Sequence, residues 1–202
     1  RKAFLIKNRI RFIPHILYED LPFTLKVHLE SKNTSVIKNL VYWWRWRPNS
    51  ITQSRGALSN FQSRLKSLEI CRKLLLSAGF TTESHLFSDF VWKVLFLDLP
   101  IFLENIGNTE EAYIYRVQEI TYRFLRNWHL LNSPALKKLP IKDQIIYSAI
   151  KTGDLGLLKK YTYTKNIGKF KNHFWSKHYY FDAPGLSSEY LRDHVNFMNN
   201  TL

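Results

Sequence analysis

Apolar side chains recur at three- and four-residue spacing over most of this chain, and the breaks in that rhythm mark where one element gives way to another. Leu21, Leu25 and Leu29 line one side of a predicted helix over Leu21–Lys32, with Asn33 near its C-terminal end. Upstream, Ala3–Asn8 reads as the end of a helix and Ile10–Ile13 as a short extended piece before Pro14. From Ser35 to Arg47 the pattern turns to β, with Val36, Ile37, Val41, Tyr42 and three tryptophans. Period-two alternation puts Tyr42, Trp44 and Trp46 on one face and Trp43, Arg45 and Arg47 on the other. Pro48 and Asn49 then end the strand as a turn.

Beyond Gly56 the helical period returns. Phe61, Leu65, Leu68 and Leu75 fall on one stripe, and Gly79 suits a C-terminal cap. A second helix is predicted over about Glu83–Asn105, kinked or broken near Pro100, which has no backbone N–H. Asn108 with Glu111 resembles a capping box for a third, with a stripe of Tyr113, Val117, Ile120, Phe124, Trp128 and Leu131. Pro140 opens a fourth helix that Gly153 closes, and Asp154–Tyr161 makes a short fifth. From Lys165 on, lysines and histidines alternate with Phe170, Phe174, Trp175, Tyr179 and Tyr180, and a partly helical ending follows from Ser187 to Met198. The chain is expected to be mainly α with a small β portion.

At 202 residues it can bury a core, and 45% hydrophobic with 15% aromatic residues argue for a folded chain. Thirty Lys and Arg against sixteen Asp and Glu give +14, which excludes an acidic tail and favours a polyanionic partner: nucleic acid, phosphate polymer, nucleotide sugar or anionic lipid. One cysteine, Cys71, excludes an intrachain disulfide and a cysteine-built metal site, fits a reducing compartment, and reads as a small buried side chain. The most apolar run, Val91–Leu103, is interrupted by Lys93, Asp98 and Pro100 and falls short of the roughly 20 residues that span a bilayer. The chain opens with Arg1 rather than Met, and reads as a piece of a longer polypeptide.

Chemistry concentrates in "YEDLPFTLKV" and the strand after it. The plainest reading of Asp20 with Pro22 is a helix start: the carboxylate accepts free N–H groups and Pro fits the first turn. Capping and catalysis do not exclude each other. The order Glu19-Asp20, Pro-Phe, helix, then "VYWWRWR" from Val41 and Ser50-Ile51-Thr52 resembles the second half of the catalytic domain in family 2 glycosyltransferases. The helices behind it, including "FVWKVLFLDLPIFLENI" and "LKKLPIKDQIIYSAIKTGDLGLLKKY", look like the region that follows this domain in enzymes of teichoic acid and capsule assembly.

That resemblance implies the C-terminal fragment of an α/β nucleotide-diphospho-sugar transferase domain over residues 1–56, a helical extension or bundle over 57–163, and a basic aromatic tail or linker over 164–202. It implies inverting transfer, with Asp20 as general base and Glu19 shaping the acceptor pocket. Arg45, with Arg47 beside it, would steady the departing diphosphate through the planar guanidinium fork, and Ser50 and Thr52 would lie in the loop over the donor. His15 could line the acceptor site, although an isolated histidine near a helix start is more often an ordinary surface residue. The family's donor-binding half and its Asp-x-Asp metal motif have no counterpart here, since "SDF" at Ser88 and "FDAP" at Phe181 are not such motifs. The resemblance thus implies a divalent cation, Mn or Mg, and a nucleotide-sugar donor for the intact enzyme, no metal ligand in this fragment, and no transfer by the fragment alone.

The implied partners are a nucleotide sugar and an anionic, lipid-linked polymer acceptor, at the cytoplasmic face of the cell membrane. The tail could lie on an anionic membrane, grip a phosphate polymer or stack on single-stranded nucleic acid. Two other readings stay open: the linker or N-terminal region of a polyol-phosphate polymerase, and a non-catalytic basic helical module that binds nucleic acid or a protein.

Overall fold

A computed structural model of the chain describes residues 1–35, 38, 57–103, 106 and 109–163, together with the backbone of 170–171 and 180–181. The described residues are mainly helical. They divide into two compact units, Arg1–Val94 and Leu95 onward. The long helix after Gly56 packs against the helix that precedes the predicted strand.

In the first unit, α1 (Lys2–Lys7) leads through an irregular segment to α2 (Asp20–Glu30), which packs on α3 (Leu58–Ser77); α4 (His85–Lys93) follows. The predicted helices are present, with α2 running from Asp20 rather than Leu21 and ending at Glu30. Residues 10–13, expected to be extended, form no strand. The α3 stripe is buried as its spacing demands: Phe61, Leu65, Leu68, Cys71 and Leu75 are all within the core. Gly79, at φ +86°, ends α3 in a Schellman turn in which Phe80 N–H donates to Leu75 O at 3.0 Å and Gly79 N–H to Leu76 O at 3.1 Å.

In the second unit, α5 (Leu99–Leu103) precedes α6 (Glu111–Asn127), α7 (Ile141–Thr152) and α8 (Leu155–Tyr163), and the last three pack on one another. Their core holds Ile114, Leu125, Ile150 and Leu158, each at 1% exposure or less. The break expected near Pro100 takes the form of a π-helical turn, Val94–Asp98, joining α4 to α5. In a π register Leu95's carbonyl looks to the residue five positions on for its donor, and Pro100 has no N–H to give. The buried hydroxyl of Tyr147 supplies the bond instead, donating to Leu95 O at 2.7 Å.

Two expectations for α6 are corrected. Its N-cap is Glu110 rather than Asn108. Its buried face is Ile114, Val117, Gln118, Thr121, Phe124 and Leu125, continued by Trp128, so Tyr113 and Ile120 are only partly covered. The helix is turned from the purely apolar stripe because two polar side chains enter the core with their hydrogen bonds made. Thr121 Oγ1 donates to Val117 O at 2.7 Å, and Gln118 Nε2 donates to Ile150 O at 2.7 Å. Ile150 lies in the last turn of α7, where carbonyls lack intrahelical donors, so Gln118 closes an end that burial would otherwise leave open. Gly153 at φ +76° terminates α7, and Asp154 Oδ1 accepts the Leu157 N–H at 2.8 Å to start α8. Phe170–Lys171 and Tyr180–Phe181 pair antiparallel, with Phe170 opposite Phe181.

Candidate functional site

The carboxylate pair sits at the junction between an irregular segment and α2. Asp20 is the first residue of that helix and is exposed; Glu19 is its N-cap residue, half-buried, in right-handed α conformation (φ −65°, ψ −20°). Glu19 makes no side-chain cap bond. The reading of Asp20 as the cap residue is therefore corrected: it stands inside the first turn, where its charge meets the positive end of the helix dipole. Pro22 is buried and fits the first turn, which needs no N–H there.

The segment leading to this junction is held in an unusual backbone. Arg9, His15 and Tyr18 all have positive φ (51°, 60° and 63°) although none is glycine. A left-handed non-glycine residue costs about 1–2 kcal/mol, so three of them within ten positions need bonds that fix them. Arg9 and Tyr18 have such bonds. Arg9 occupies the left-handed position of a Schellman turn that ends α1, with Ile10 N–H donating to Leu5 O at 2.9 Å, and Lys26 Nζ donates to Arg9 O at 3.3 Å. Ile10 and Ile16 anchor the segment in the core. Phe12 stacks on Phe23 of α2, with centroids 4.1 Å apart and rings 8° from parallel.

Tyr18 is gripped from α3, far along the chain. Ser67, fully buried, donates its hydroxyl to Tyr18 O at 2.8 Å. The Arg64 guanidinium lies over the Tyr18 ring, 5.1 Å from its centroid, a cation–π contact. Arg64 and Ser67 are three residues apart on one helix and so share a face. Sequence reasoning missed both. Their signal was a serine and an arginine beside the α3 apolar stripe, positions where surface residues would be expected to turn away.

Of the predicted site residues, Glu19 and Asp20 stand at this junction, and His15 is an exposed residue of the segment that leads to it. Arg45, Arg47, Ser50, Thr52 and the strand expected over Ser35–Arg47 lie outside the described residues, apart from Ser35 and Lys38. The segment that precedes the junction is cationic: Arg1, Lys2, Lys7, Arg9 and Arg11 are exposed, and no Asp or Glu precedes Glu19 in the sequence. Phe12 is 57% exposed and Ile6 67%, so apolar surface sits among these charges.

Among the described residues there is no group of three or more His, Cys, Asp or Glu side chains that could hold a metal ion. No described helix is long and apolar enough to cross a membrane. The second unit carries an open hollow of about 570 Å³ lined by Glu111, Ala112, Tyr115, Arg116 and Leu155. Two tyrosines of this unit are raised by burial: desolvation, then the charges of Asp143 and Asp98, hold the Tyr147 hydroxyl well above the ordinary value, and desolvation pushes Tyr161 up to about 12. Both are core groups. No protein-family model, curated protein or solved structure matches the chain.

Proposed function

We propose that this chain carries the acceptor side of a family 2 glycosyltransferase, which moves a sugar with inversion from a nucleotide-sugar donor to an anionic, lipid-linked cell-wall or capsular polymer at the cytoplasmic membrane face. The observation that carries the reading is Asp20: an exposed carboxylate in the first turn of α2, reached through a segment whose strained backbone is pinned by the core. Enzymes keep strain of this kind where a reacting group must be held in place.

In the reaction, Asp20 takes the proton of the acceptor hydroxyl as its oxygen attacks the anomeric carbon, and the bond to the nucleotide diphosphate breaks on the opposite side. Glu19 shapes the acceptor pocket and His15 lines its rim. Arg45 and Arg47 bind the leaving diphosphate through paired N–H bonds, and Ser50 and Thr52 cover the donor. The exposed cations of the segment before the junction attract an acceptor rich in phosphate or carboxylate, at a rate that falls as salt rises.

The test is transfer by the protein at its full natural length, from a panel of nucleotide sugars to a lipid-linked polyanion. Asp20→Asn should lower kcat by about 10²–10⁴-fold, the usual contribution of a general base. A variant as active as the parent would exclude the assignment.

The net charge of +14 favours one rival, a non-catalytic basic module for nucleic acid. Titration with duplex and single strands across a salt series separates the two: tight, steeply salt-dependent binding that teichoic acid does not displace would favour the rival.

A further inference from the structure

We infer that Arg64 and Ser67 of α3 are positioning residues for the carboxylate pair, holding Tyr18 in its left-handed conformation so that Glu19 and Asp20 leave the core at a fixed angle. This rests on the catalytic reading given above and adds to it two residues that lie outside the stretch resembling a glycosyltransferase.

The geometry begins with the backbone. Tyr18 has φ 63°, a conformation that a free tyrosine seldom visits. Its carbonyl points to the start of α2, where Leu21 N–H donates to it at 3.3 Å, and Ser67 Oγ donates to the same oxygen at 2.8 Å. One acceptor thus ties the first turn of the site helix to a residue 49 positions further along the chain. The ring is held as well, because Arg64 lies over it. With both the carbonyl and the ring fixed, rotation about the Tyr18 backbone is blocked, and the two carboxylates that follow inherit its direction. Ile16, at 7% exposure, anchors the other side of the same turn.

Each contact contributes something different. The serine bond, part-buried and 2.8 Å long, fixes the position of the carbonyl from the α3 side. The guanidinium acts by its plane and its charge together; lysine in its place keeps the charge but lacks the flat face that covers the ring. A base displaced by about 1 Å can lose on the order of 10²-fold in rate with little change in how the donor binds. Loss of either contact should therefore appear in kcat rather than in KM for the donor.

The experiment measures Arg64→Lys, Ser67→Ala and Asp20→Asn in the full-length protein, as kcat per folded enzyme, KM for the nucleotide sugar and the pH profile of kcat. Arg64→Lys and Ser67→Ala should each lower kcat by about tenfold or more, leave the donor KM within about twofold, and displace the acid limb of the profile, which reports the base. A purely structural role would lower only the thermal midpoint. Unchanged kcat and an unmoved acid limb in both, with Asp20→Asn inactive, would overturn this inference and leave the catalytic reading standing. An Asp20→Asn enzyme as active as the parent would overturn both. If Arg64→Lys does not fold, Ser67→Ala, which removes a single oxygen, decides the matter by the same criteria.

Discussion

Two buried side chains, Ser67 in the first unit and Gln118 in the second, do the same chemical task with different consequences. Each donates to a backbone carbonyl distant in sequence, Tyr18 O and Ile150 O respectively. Gln118 closes the end of a helix whose surroundings are packed and apolar, so its bond is a matter of stability. Ser67 holds a left-handed residue directly before the half-buried Glu19 and the exposed Asp20, so its bond bears on where a reactive group points. The comparison teaches that a polar residue inside a core is read by what its partner is attached to, since the bond alone looks the same in both places.

The largest expected effect sets the scale of the second unit. Leu125→Ala, at a position with no exposed surface, should cost about 2–5 kcal/mol in denaturant unfolding, as cavities in tight cores do. Gln118→Leu comes next, at about 1–3 kcal/mol, because it strands the Ile150 carbonyl without a donor. Ser67→Ala should cost less, about 0.5–1.5 kcal/mol, since Tyr18 O keeps its bond from Leu21. Equal stability costs for the two, with no rate effect from Ser67, would erase the distinction between them.

Alkaline titration sharpens the description of the second unit. Tyr147 and Tyr161 ionise at higher pH in the folded chain than the usual value near 10, so the unfolded chain loses its protons first. Their contribution is whole below about pH 10 and declines as pH rises through the folded values, about 12 for Tyr161. Stability followed by circular dichroism should fall over that window, and Tyr147→Phe should flatten the decline while removing the bond to Leu95 O. The smallest effect has the opposite sign. His129 occupies the left-handed position that ends α6, with Leu130 N–H donating to Leu125 O at 2.8 Å, so His129→Gly should gain about 1 kcal/mol.

Much of the helical layout was legible in the apolar period, and the reasons for the misses are local. The stripe of α3 and the glycine stops at Gly79 and Gly153 could be read because leucines and glycines there do what their types favour. The face of α6 could not, because Gln118 and Thr121 count as surface residues until their acceptors are known. The turn at Val94–Asp98 was visible only as the disturbance that Pro100 causes. In the candidate site, Glu19 and Asp20 stood out as a motif, whereas three left-handed residues without a glycine give no local sign. Arg64 and Ser67 were hidden for a different reason: their meaning depends on Tyr18, which only the packing of α2 on α3 brings to them.

The most direct test compares sugar transfer by the full-length protein and its Asp20→Asn variant, side by side, with the fold of both checked by circular dichroism. Transfer by the parent and a loss of about a hundredfold or more in the folded variant is the expected result. No transfer from any nucleotide sugar, or equal rates from the two proteins, would contradict the assignment of Asp20 as the group that accepts the proton.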